Sequence, residues 1–409
     1  MSAREALAAG LRAGAETLRE DVVRFCRELV MTRSPSGDEG AAAHRVAQEM
    51  RGLGYDDVTV DSWGNVVGVL RGADSEQGAV LMDAHLDHVD EGDPAAWTHS
   101  PFGGDVRDGR LFGRGSTDTK SALAAQVHGA ALLHRAAAAA GVALPRDIVV
   151  AAVVQEEVGG LGTAGLLESG RPLHAAIVGE PSLNGLAYGH RGRVEIEVAF
   201  RGKAAHASRP EWGVNPHPSL ARLILALDSI AHDEDPRFGR SSAVPTLVHA
   251  RPASPNVIPA EVVLTIDWRN VASERAEDVR ARVREAAEAA LGKDVTVEVR
   301  TPSRRLTSWT GLEREIERVS RPFSVAEDAA PFASARAALA SGLGRHVEAM
   351  AWDFASDGGW LHAAGVSCVG FGPGEMKVMH AADESVDLDL VVEAVAGNAL
   401  LALSLGDGP

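Results

Sequence analysis

The stretch Leu81-Met-Asp-Ala-His85-Leu-Asp87 carries an apolar run into a histidine and a carboxylate that stand two residues apart. Residues 79–83 have the length and apolar character of a buried strand. Side chains two residues apart at a strand end point to one face, so His85 and Asp87 can act together. By itself a His-x-Asp pair occurs more often in an ordinary loop than at a metal site, so its function depends on the surrounding sequence.

Further periodic segments lie on both sides of this stretch. Strands are predicted at residues 66–70, 147–154 and 175–179, and helices at residues 119–140 and 388–405. Strands that alternate with helices are typical of an α/β fold with a mostly parallel sheet. Ligands of such sheets bind just beyond the carboxyl ends of the strands.

Three polar residues follow predicted strands within a few positions, namely His85, Glu156 and Glu180. Their placement predicts a functional site at that edge of the sheet. Glu156 is followed directly by Glu157. Two adjacent carboxylates repel each other unless a cation or a proton lies between them. On an exposed helix such a pair is simply solvated, but the Gly-rich residues 158–162 that follow do not continue a surface helix.

Two further candidates lie elsewhere in the chain. Asp118 follows the Gly-rich residues 113–115 and precedes the long predicted helix. Its two oxygens can bridge two cations, although Asp is equally a favoured N-cap for a helix that begins at Thr119. His380 is a lone late histidine, a type of residue that is normally structural. Together, these His, Asp and Glu side chains match hydrolytic zinc sites better than cysteine-rich structural ones.

The pattern changes near residue 189. From there to residue 301 the predicted order is β-α-β-β-α-β, which is that of a ferredoxin-like α+β unit. Helices and strands then alternate again to the end of the chain. The sequence therefore predicts a discontinuous catalytic domain, residues 1–188 and 302–409, with an inserted domain at residues 189–301.

Net charge, cysteine content and the lengths of the apolar segments limit the binding partners and the cellular location that we expect. The formal net charge of -17 argues against nucleic acid, because phosphate binding needs clustered Lys and Arg. Cys26 and Cys368 are far apart and fit a reducing compartment. The N-terminal segment lacks the core of a signal peptide, and no segment approaches the roughly 20 apolar residues that span a bilayer. We therefore expect a cytoplasmic protein that binds neither nucleic acid nor a membrane.

Seven motifs occur in a fixed order, at residues 85–89 (HLDHV), 97–104 (WTHSPFGG), 108–115 (DGRLFGRG), 155–160 (QEEVGG), 178–181 (VGEP), 256–259 (NVIP) and 356–358 (SDG). Together they resemble the co-catalytic zinc aminoacylase and metallopeptidase family. That family includes acetylornithine deacetylase, succinyl-diaminopimelate desuccinylase, carboxypeptidase G and several dipeptidases. The resemblance implies a zinc-hydrolase catalytic domain of mostly parallel α/β type and an inserted ferredoxin-like lid and dimerisation domain.

Carried over by position, the resemblance implies two Zn²⁺ ions in each subunit. One would be bound by His85, Asp118 and Glu180, and the other by Asp118, Glu157 and His380, so that Asp118 bridges them. Glu156 would be the general base, and Asp87 would orient His85. The resemblance also implies a cis peptide bond between Asp118 and Thr119. Co²⁺ or Mn²⁺ can occupy the same ligands.

The resemblance also implies substrate contacts. His206 would reach the active site of the partner subunit in a homodimer and polarise the scissile carbonyl. Without the family resemblance, its position near a strand end would indicate a surface residue. Asn256, Arg269 and Gly358 match substrate-binding positions. Arg269 is suited to grip a carboxylate with a bidentate fork, and its alternative is a salt bridge to Asp267.

Three departures from the family pattern occur, at Ser121, Ala382 and Gly359. Neither of the first two removes a ligand. Gly359 stands where the desuccinylases carry an Arg, which puts succinyl-diaminopimelate in doubt as substrate. The leading interpretation is a zinc amidohydrolase that removes the acyl group of an N-acyl amino acid or related amine. A dipeptidase or carboxypeptidase acting on short peptides is the alternative, and a non-catalytic metal-binding protein that acts through partner binding is a third.

Overall fold

The structure, a computed structural model, describes residues 2–407. The chain divides into two units. The larger comprises the described residues up to Gly189, Leu306–Arg314 and the described residues from Phe323 onward, and the smaller comprises His190–Arg305 and Glu315–Pro322. The C-terminal junction therefore differs from the predicted boundary at residue 302. Residues 315–322 return to the smaller unit because Val319 and Ser320 pair with the strand at Val194 and Arg193.

The helices are, in chain order, α1 Ala3–Thr17, α2 Arg19–Met31, α3 Gly40–Gly52, α4 Ser121–Ala140, α5 Leu161–Glu168, α6 His217–Ala226, α7 Ala276–Ala289, α8 Ala330–Leu343, α9 Gly358–Ala363 and α10 Leu388–Leu405. The strands are β1 Asp57–Val60, β2 Val66–Leu70, β3 Ala79–His85, β4 Asp105–Arg107, β5 Arg110–Phe112, β6 Ile148–Val153, β7 Leu173–Val178, β8 Leu186–His190, β9 Arg193–Arg201, β10 Ala205–His206, β11 Glu234–Asp235, β12 Gly239–Arg240, β13 Ser242–Arg251, β14 Val257–Ile258, β15 Glu261–Arg269, β16 Thr296–Arg300, β17 Ser303–Thr307, β18 Glu313–Glu317, β19 Val319–Ser320, β20 Phe323–Ser324, β21 Ala349–Trp352, β22 Ser367–Gly370 and β23 Ser385–Asp387.

The main sheet of the larger unit has the order β1-β2-β6-β3-β7-β22-β8-β20, with β21 beside β8. Its centre is parallel, because β3 pairs in that sense with both β6 and β7, and β22 does so with β7. The edges are antiparallel, with β1 on β2, β2 on β6 and β8 on β22. The sheet is thus mixed with a parallel centre, and the carboxyl ends of β3, β6 and β7 lie side by side.

Helices cover both faces of this sheet. The larger core joins α1, α2, α3, α4, α8 and α10 to one face, and a second core joins residues of α5 and α9 to the other. Helix α10 is long and apolar enough to cross a membrane by length and composition, contrary to the expectation from sequence. Most of it is buried inside the larger unit, where it packs against α1, α4 and α8.

The smaller unit follows the predicted β-α-β-β-α-β order through β9, α6, β13, β15, α7 and β16. Its main sheet has the order β13-β15-β9-β16 and is antiparallel throughout. Alternate residues of β9, from Val194 to Phe200, are buried in a core with α6 and α7. This strand order and these two helices make the unit ferredoxin-like.

Candidate metal centre and active site

His85 ends β3 and points its ring into the larger unit, where it is buried. Its Nδ1 lies 2.9 Å from the backbone oxygen of Asp87 and 3.4 Å from the Oδ1 of that residue. Because both partners are acceptors, a neutral His85 would carry its hydrogen on Nδ1, which would leave the lone pair of Nε2 for a metal. Asp87 therefore orients His85 mainly through its carbonyl group.

The carboxylate of Asp87 has other partners. Its Oδ2 accepts the Ser36 hydroxyl at 2.6 Å and the backbone N–H of Glu157 at 3.3 Å, and its Oδ1 accepts the backbone N–H of Glu156 at 3.1 Å. The group is completely buried. One carboxylate thus fixes the backbone of both glutamates that follow β6.

Asp118 lies in an irregular turn, Ser116–Lys120, and the peptide bond from Asp118 to Thr119 is cis, as predicted. Helix α4 begins only at Ser121, and Lys120 precedes it without a side-chain cap. The alternative of Asp118 as the N-cap is therefore excluded. Its two oxygens instead face two imidazoles, Oδ1 at 3.1 Å from the Nε2 of His85 and Oδ2 at 3.0 Å from the Nε2 of His380.

The side chains form two groups that share Asp118. In each group, the potential ligand atoms lie within 4.8 Å of one another. The first holds His85 and Glu180, whose Nε2 and Oε1 are 3.8 Å apart, and the second holds His380 and Glu157, at 3.3 Å. The first group is buried, whereas His380 is exposed at the open side of the second. These are the two triads that the family resemblance implies as ligand sets.

The charges of this cluster suit a cation. Burial, then the nearby charge of Asp118, raises the pKa of Glu180 well above its ordinary value. Hydrogen bonds to Asp118 and Glu157 raise the pKa of His380 to about 10. Both shifts arise because carboxylates crowd together out of water. A divalent ion would offset the same charge without protons, and carboxylate oxygens with neutral imidazoles are donors that zinc accepts.

Glu156 belongs to neither triad. Burial, then the charges of Glu180 and Asp357, raises the pKa of its carboxyl group well above the ordinary value. Its backbone is held by Asp87, as described above. The structure therefore leaves one carboxyl group beside the two triads with no ligand position of its own.

Two acidic residues near the site were missed from sequence. Asp83 is buried in β3, and Asp357 is buried at the start of α9. The hydroxyl of Thr163 lies 2.7 Å from the Oδ2 of Asp357 and 3.2 Å from the Oδ2 of Asp83. Burial raises the pKa of Asp357 to about 6. The sequence feature that could have indicated them is the single carboxylate of Asp83 inside an otherwise apolar run.

Gly358 follows Asp357 and is buried, and a methyl group on its Cα would lie 3.0 Å from the ring of Phe323. Its backbone N–H donates to the Ser356 hydroxyl at 3.3 Å. This position tolerates no larger side chain without movement of Phe323. Its predicted contact with substrate stays a prediction.

The other predicted substrate residues lie in the smaller unit. His206 is exposed on β10, which pairs with β14, and the backbone oxygen of Asn256 accepts the N–H of Ala207 at 2.9 Å. These two residues are thus neighbours. Arg269 forms a salt bridge with Asp267, the alternative to a substrate-binding role, and its Nε lies 2.7 Å from the Oδ1 of Asp267. Its side chain is nonetheless 44% exposed.

Comparison with known proteins decides the family. A model of Peptidase family M20/M25/M40 matches residues 81–404. The chain belongs to this family. Membership confirms the predicted resemblance and the predicted class of enzyme, a metal-dependent hydrolase of amide bonds.

Three relatives align with two thirds or more of this chain. It is 28% identical over 397 residues to "Uncharacterized protein YgeY" of Escherichia coli, covering 95% of this chain and 96% of that protein. It is 34% identical over 302 residues to the succinyl-diaminopimelate desuccinylase of Cereibacter sphaeroides, covering 68% and 75%. It is 25% identical over 409 residues to the N-formyl-4-amino-5-aminomethyl-2-methylpyrimidine deformylase of Bacillus subtilis, covering 92% and 93%.

Solved structures share the fold. Aminopeptidase PepT from Bacillus cereus superimposes with a TM-score of 0.72 at 18% identity, covering 95% of this chain and 98% of that one. The Bacillus subtilis YXEP protein, described as a dinuclear metal binding peptidase from the M20 family, gives 0.70 at 18% identity with the same coverage. The α/β fold class with a ferredoxin-like insertion is confirmed.

Proposed function

We propose that this M20 protein is a dinuclear zinc amidohydrolase that removes the acyl group of an N-acyl amino acid or a related small N-acyl amine. One observation carries the proposal. Asp118 faces both His85 and His380, while Glu156 lies beside the two triads and belongs to neither. A shared ligand and a spare carboxyl group are what a two-metal hydrolase needs.

The proposed ligands are the two triads that share Asp118. The buried triad would hold one ion between His85 and Glu180, and the open triad would hold the second between Glu157 and His380. Zinc fits two imidazoles and three carboxylates, and Co²⁺ or Mn²⁺ fits the same donors. When bound, a pair of such ions lowers the pKa of a shared water toward about 7 and polarises the substrate carbonyl.

Glu156 would be the general base. Because it belongs to neither triad, its carboxyl group is left to take a proton from the attacking water and then give it to the leaving nitrogen. Asp87 would hold Glu156 and Glu157 in their separate roles, because its carboxylate binds the backbone N–H of each.

We further propose a homodimer in which His206 donates to the carbonyl oxygen of the substrate bound by the partner subunit. An unpaired strand edge supports the dimer, because β13 ends its sheet. Its side chains Val244, Leu247 and Val248 are about half exposed, and an exposed apolar edge strand pairs readily with a second chain. A cytoplasmic location is proposed as well, and the free cysteines Cys26 and Cys368 support it.

The proposed substrate class is supported by the names of two relatives and by the Arg269 side chain of the smaller unit. Two relatives are named for removing an acyl group from a nitrogen, a succinyl group in one and a formyl group in the other. Arg269 donates to Asp267 through Nε, so its two terminal nitrogens are available for a substrate carboxylate. Asn256 and Gly358 are each proposed as a substrate contact as well. Gly359 offers no side chain for a succinyl carboxylate, so we favour a smaller acyl group.

A substrate panel tests this proposal. Zinc-loaded protein is given N-formyl and N-acetyl amino acids in one set and unblocked dipeptides in another, with a chelator-treated sample as control. We expect turnover of an N-acyl amino acid that the chelator abolishes and that zinc restores. Preference for dipeptides would replace this function with that of a dipeptidase. Failure on both sets would favour a non-catalytic metal-binding protein.

A further inference from the structure

Two residues outside both triads connect the segments that carry Asp118 and His380. Arg114 precedes the Asp118 turn, and Glu384 follows His380. Their side chains form an ion pair, with the Nη1 of Arg114 2.6 Å from the Oε2 of Glu384. The two side chains are 3% and 0% exposed, so water does not screen the pair.

Glu384 also binds the backbone of the Asp118 turn. Its Oε1 accepts the N–H of Thr117 at 2.9 Å and the N–H of Asp118 at 3.1 Å. Such charge-assisted bonds are shorter and stronger than neutral ones. They fix the direction in which the Asp118 side chain leaves the turn, a direction that the ligand role requires.

Arg114 completes the connection on the other side. Its Nη1 and Nη2 lie 3.3 Å and 3.4 Å from the backbone oxygens of Ala381 and His380. A single guanidinium fork thus reaches the carboxylate of Glu384 and the backbone of the His380 ligand. A lysine could not do this, because it lacks the planar fork.

The His380 loop needs such support. His380 and Asp383 have φ values of 60° and 56°, in the left-handed region that non-glycine residues seldom adopt. Residues in that region persist where their surroundings hold them. Here Asp383 accepts the N–H of Thr98 at 2.7 Å and that of His99 at 3.0 Å, and Glu384 is held as above.

We propose that Glu384 and Arg114 are positioning residues, which set the spacing between Asp118 and His380 before metal binds. They contact the backbone of both ligands and take no ligand position themselves. The distance of 3.0 Å between Asp118 Oδ2 and His380 Nε2 is the quantity they control. This inference rests on the proposed metal site, and it concerns metal affinity rather than hydrolysis.

Zinc titration of metal-free protein tests the proposal. The Glu384→Asp variant keeps the charge beside Arg114 but withdraws the carboxylate from the Asp118 turn by one methylene. We expect its zinc affinity to fall about 10- to 100-fold, as is typical when an outer contact of a ligand is lost. Competition with a chromogenic chelator measures the affinity, and thermal unfolding of the metal-free variant checks the fold.

A matched control is Glu375→Gln, in the same segment. The Glu375 side chain is 33% exposed, and its Oε2 lies 3.9 Å from the Nη2 of Arg110, so it takes no part in the contacts between Arg114 and Glu384. Its zinc affinity should equal that of the wild type. If Glu384→Asp lowers unfolding temperature, then Arg114→Lys supplies the same test with the ion pair kept. Wild-type zinc affinity in both variants would overturn the inference. Loss of affinity in a protein that hydrolyses no amide would instead refute the proposed function and leave the inference standing.

Discussion

The Oδ1 of Asp87 accepts the backbone N–H of Glu156 at 3.1 Å. This bond joins the end of β3, which carries His85, to the carboxylate pair that follows β6. Because β3 and β6 are parallel neighbours, their carboxyl ends meet at one edge, and Asp87 fastens them there. The residue therefore acts on a candidate ligand and on the candidate base at once.

Replacement of Asp87 by Asn should damage the site without unfolding the unit. The amide of Asn supplies one acceptor oxygen and one NH₂ group, and the NH₂ group cannot accept the N–H of Glu156 or Glu157. We expect zinc affinity to fall about 10- to 100-fold. Chelator competition measures this, and unchanged affinity would show that the carboxylate is dispensable.

Replacement of Glu156 by Gln separates catalysis from metal binding. The variant keeps the shape of the side chain but removes the group that accepts a proton. We expect kcat to fall about 10²- to 10⁴-fold, the range for loss of a general base. The zinc content should stay at the wild-type value when it is measured by atomic emission. A variant that turns over normally would exclude Glu156 as the base.

A subunit-mixing experiment tests whether His206 acts across the dimer. Neither His206→Ala nor Glu156→Gln should be active alone. After random exchange of subunits, half of the dimers are mixed, and each mixed dimer has one site with both Glu156 and the partner's His206. We expect about one quarter of wild-type activity to return. No recovery in confirmed mixed dimers would place His206 in the site of its own subunit.

One pH prediction concerns stability away from the site. Burial opposes ionisation of Glu49, but the His128 ring, with its Nε2 3.2 Å from the carboxylate, and a hydrogen bond from Arg45 lower its pKa to about 2, against an ordinary value of 4.5. Because the folded pKa lies below the unfolded one, this contribution is complete above pH 4.5 and is lost as pH falls toward 2. The full shift corresponds to about 3 kcal/mol, which solvent screening of this partly solvated group reduces to about 1–2 kcal/mol.

The comparison that checks it uses Glu49→Gln. Urea unfolding at pH 6 should show the variant to be less stable than the wild type, and the difference should shrink at pH 3. A difference that is the same at both values would mean that the carboxylate charge of Glu49 contributes nothing.

Much of the fold follows from local sequence. Helix α10 occupies the predicted residues, and β2 does so too, because a long, mostly apolar segment and a short apolar one have few alternatives. The convergence of His85, Glu156 and Glu180 was predictable as well, since parallel strands end at one edge. The start of α4 was predicted two residues early, because the backbone of Asp118 and Thr119 leaves the helical region in a way that their side chains do not signal.

The remaining features depend on contacts between distant segments. Asp83 and Asp357 are far apart in the chain, and only the folded structure brings them to one Thr163 hydroxyl. The Arg114–Glu384 pair is likewise visible only after β5 pairs with β23. Periodicity reports which face of a strand or helix is buried, but not which loops meet beyond its end.

The most direct test is diffraction from zinc-loaded crystals, recorded at energies on both sides of the zinc absorption edge. We predict two zinc peaks about 3.5–4 Å apart. Asp118 would lie between them, and the Glu156 carboxylate would coordinate neither. A single ion, or an ion ligated by Glu156 in place of Glu157, would contradict the proposed mechanism.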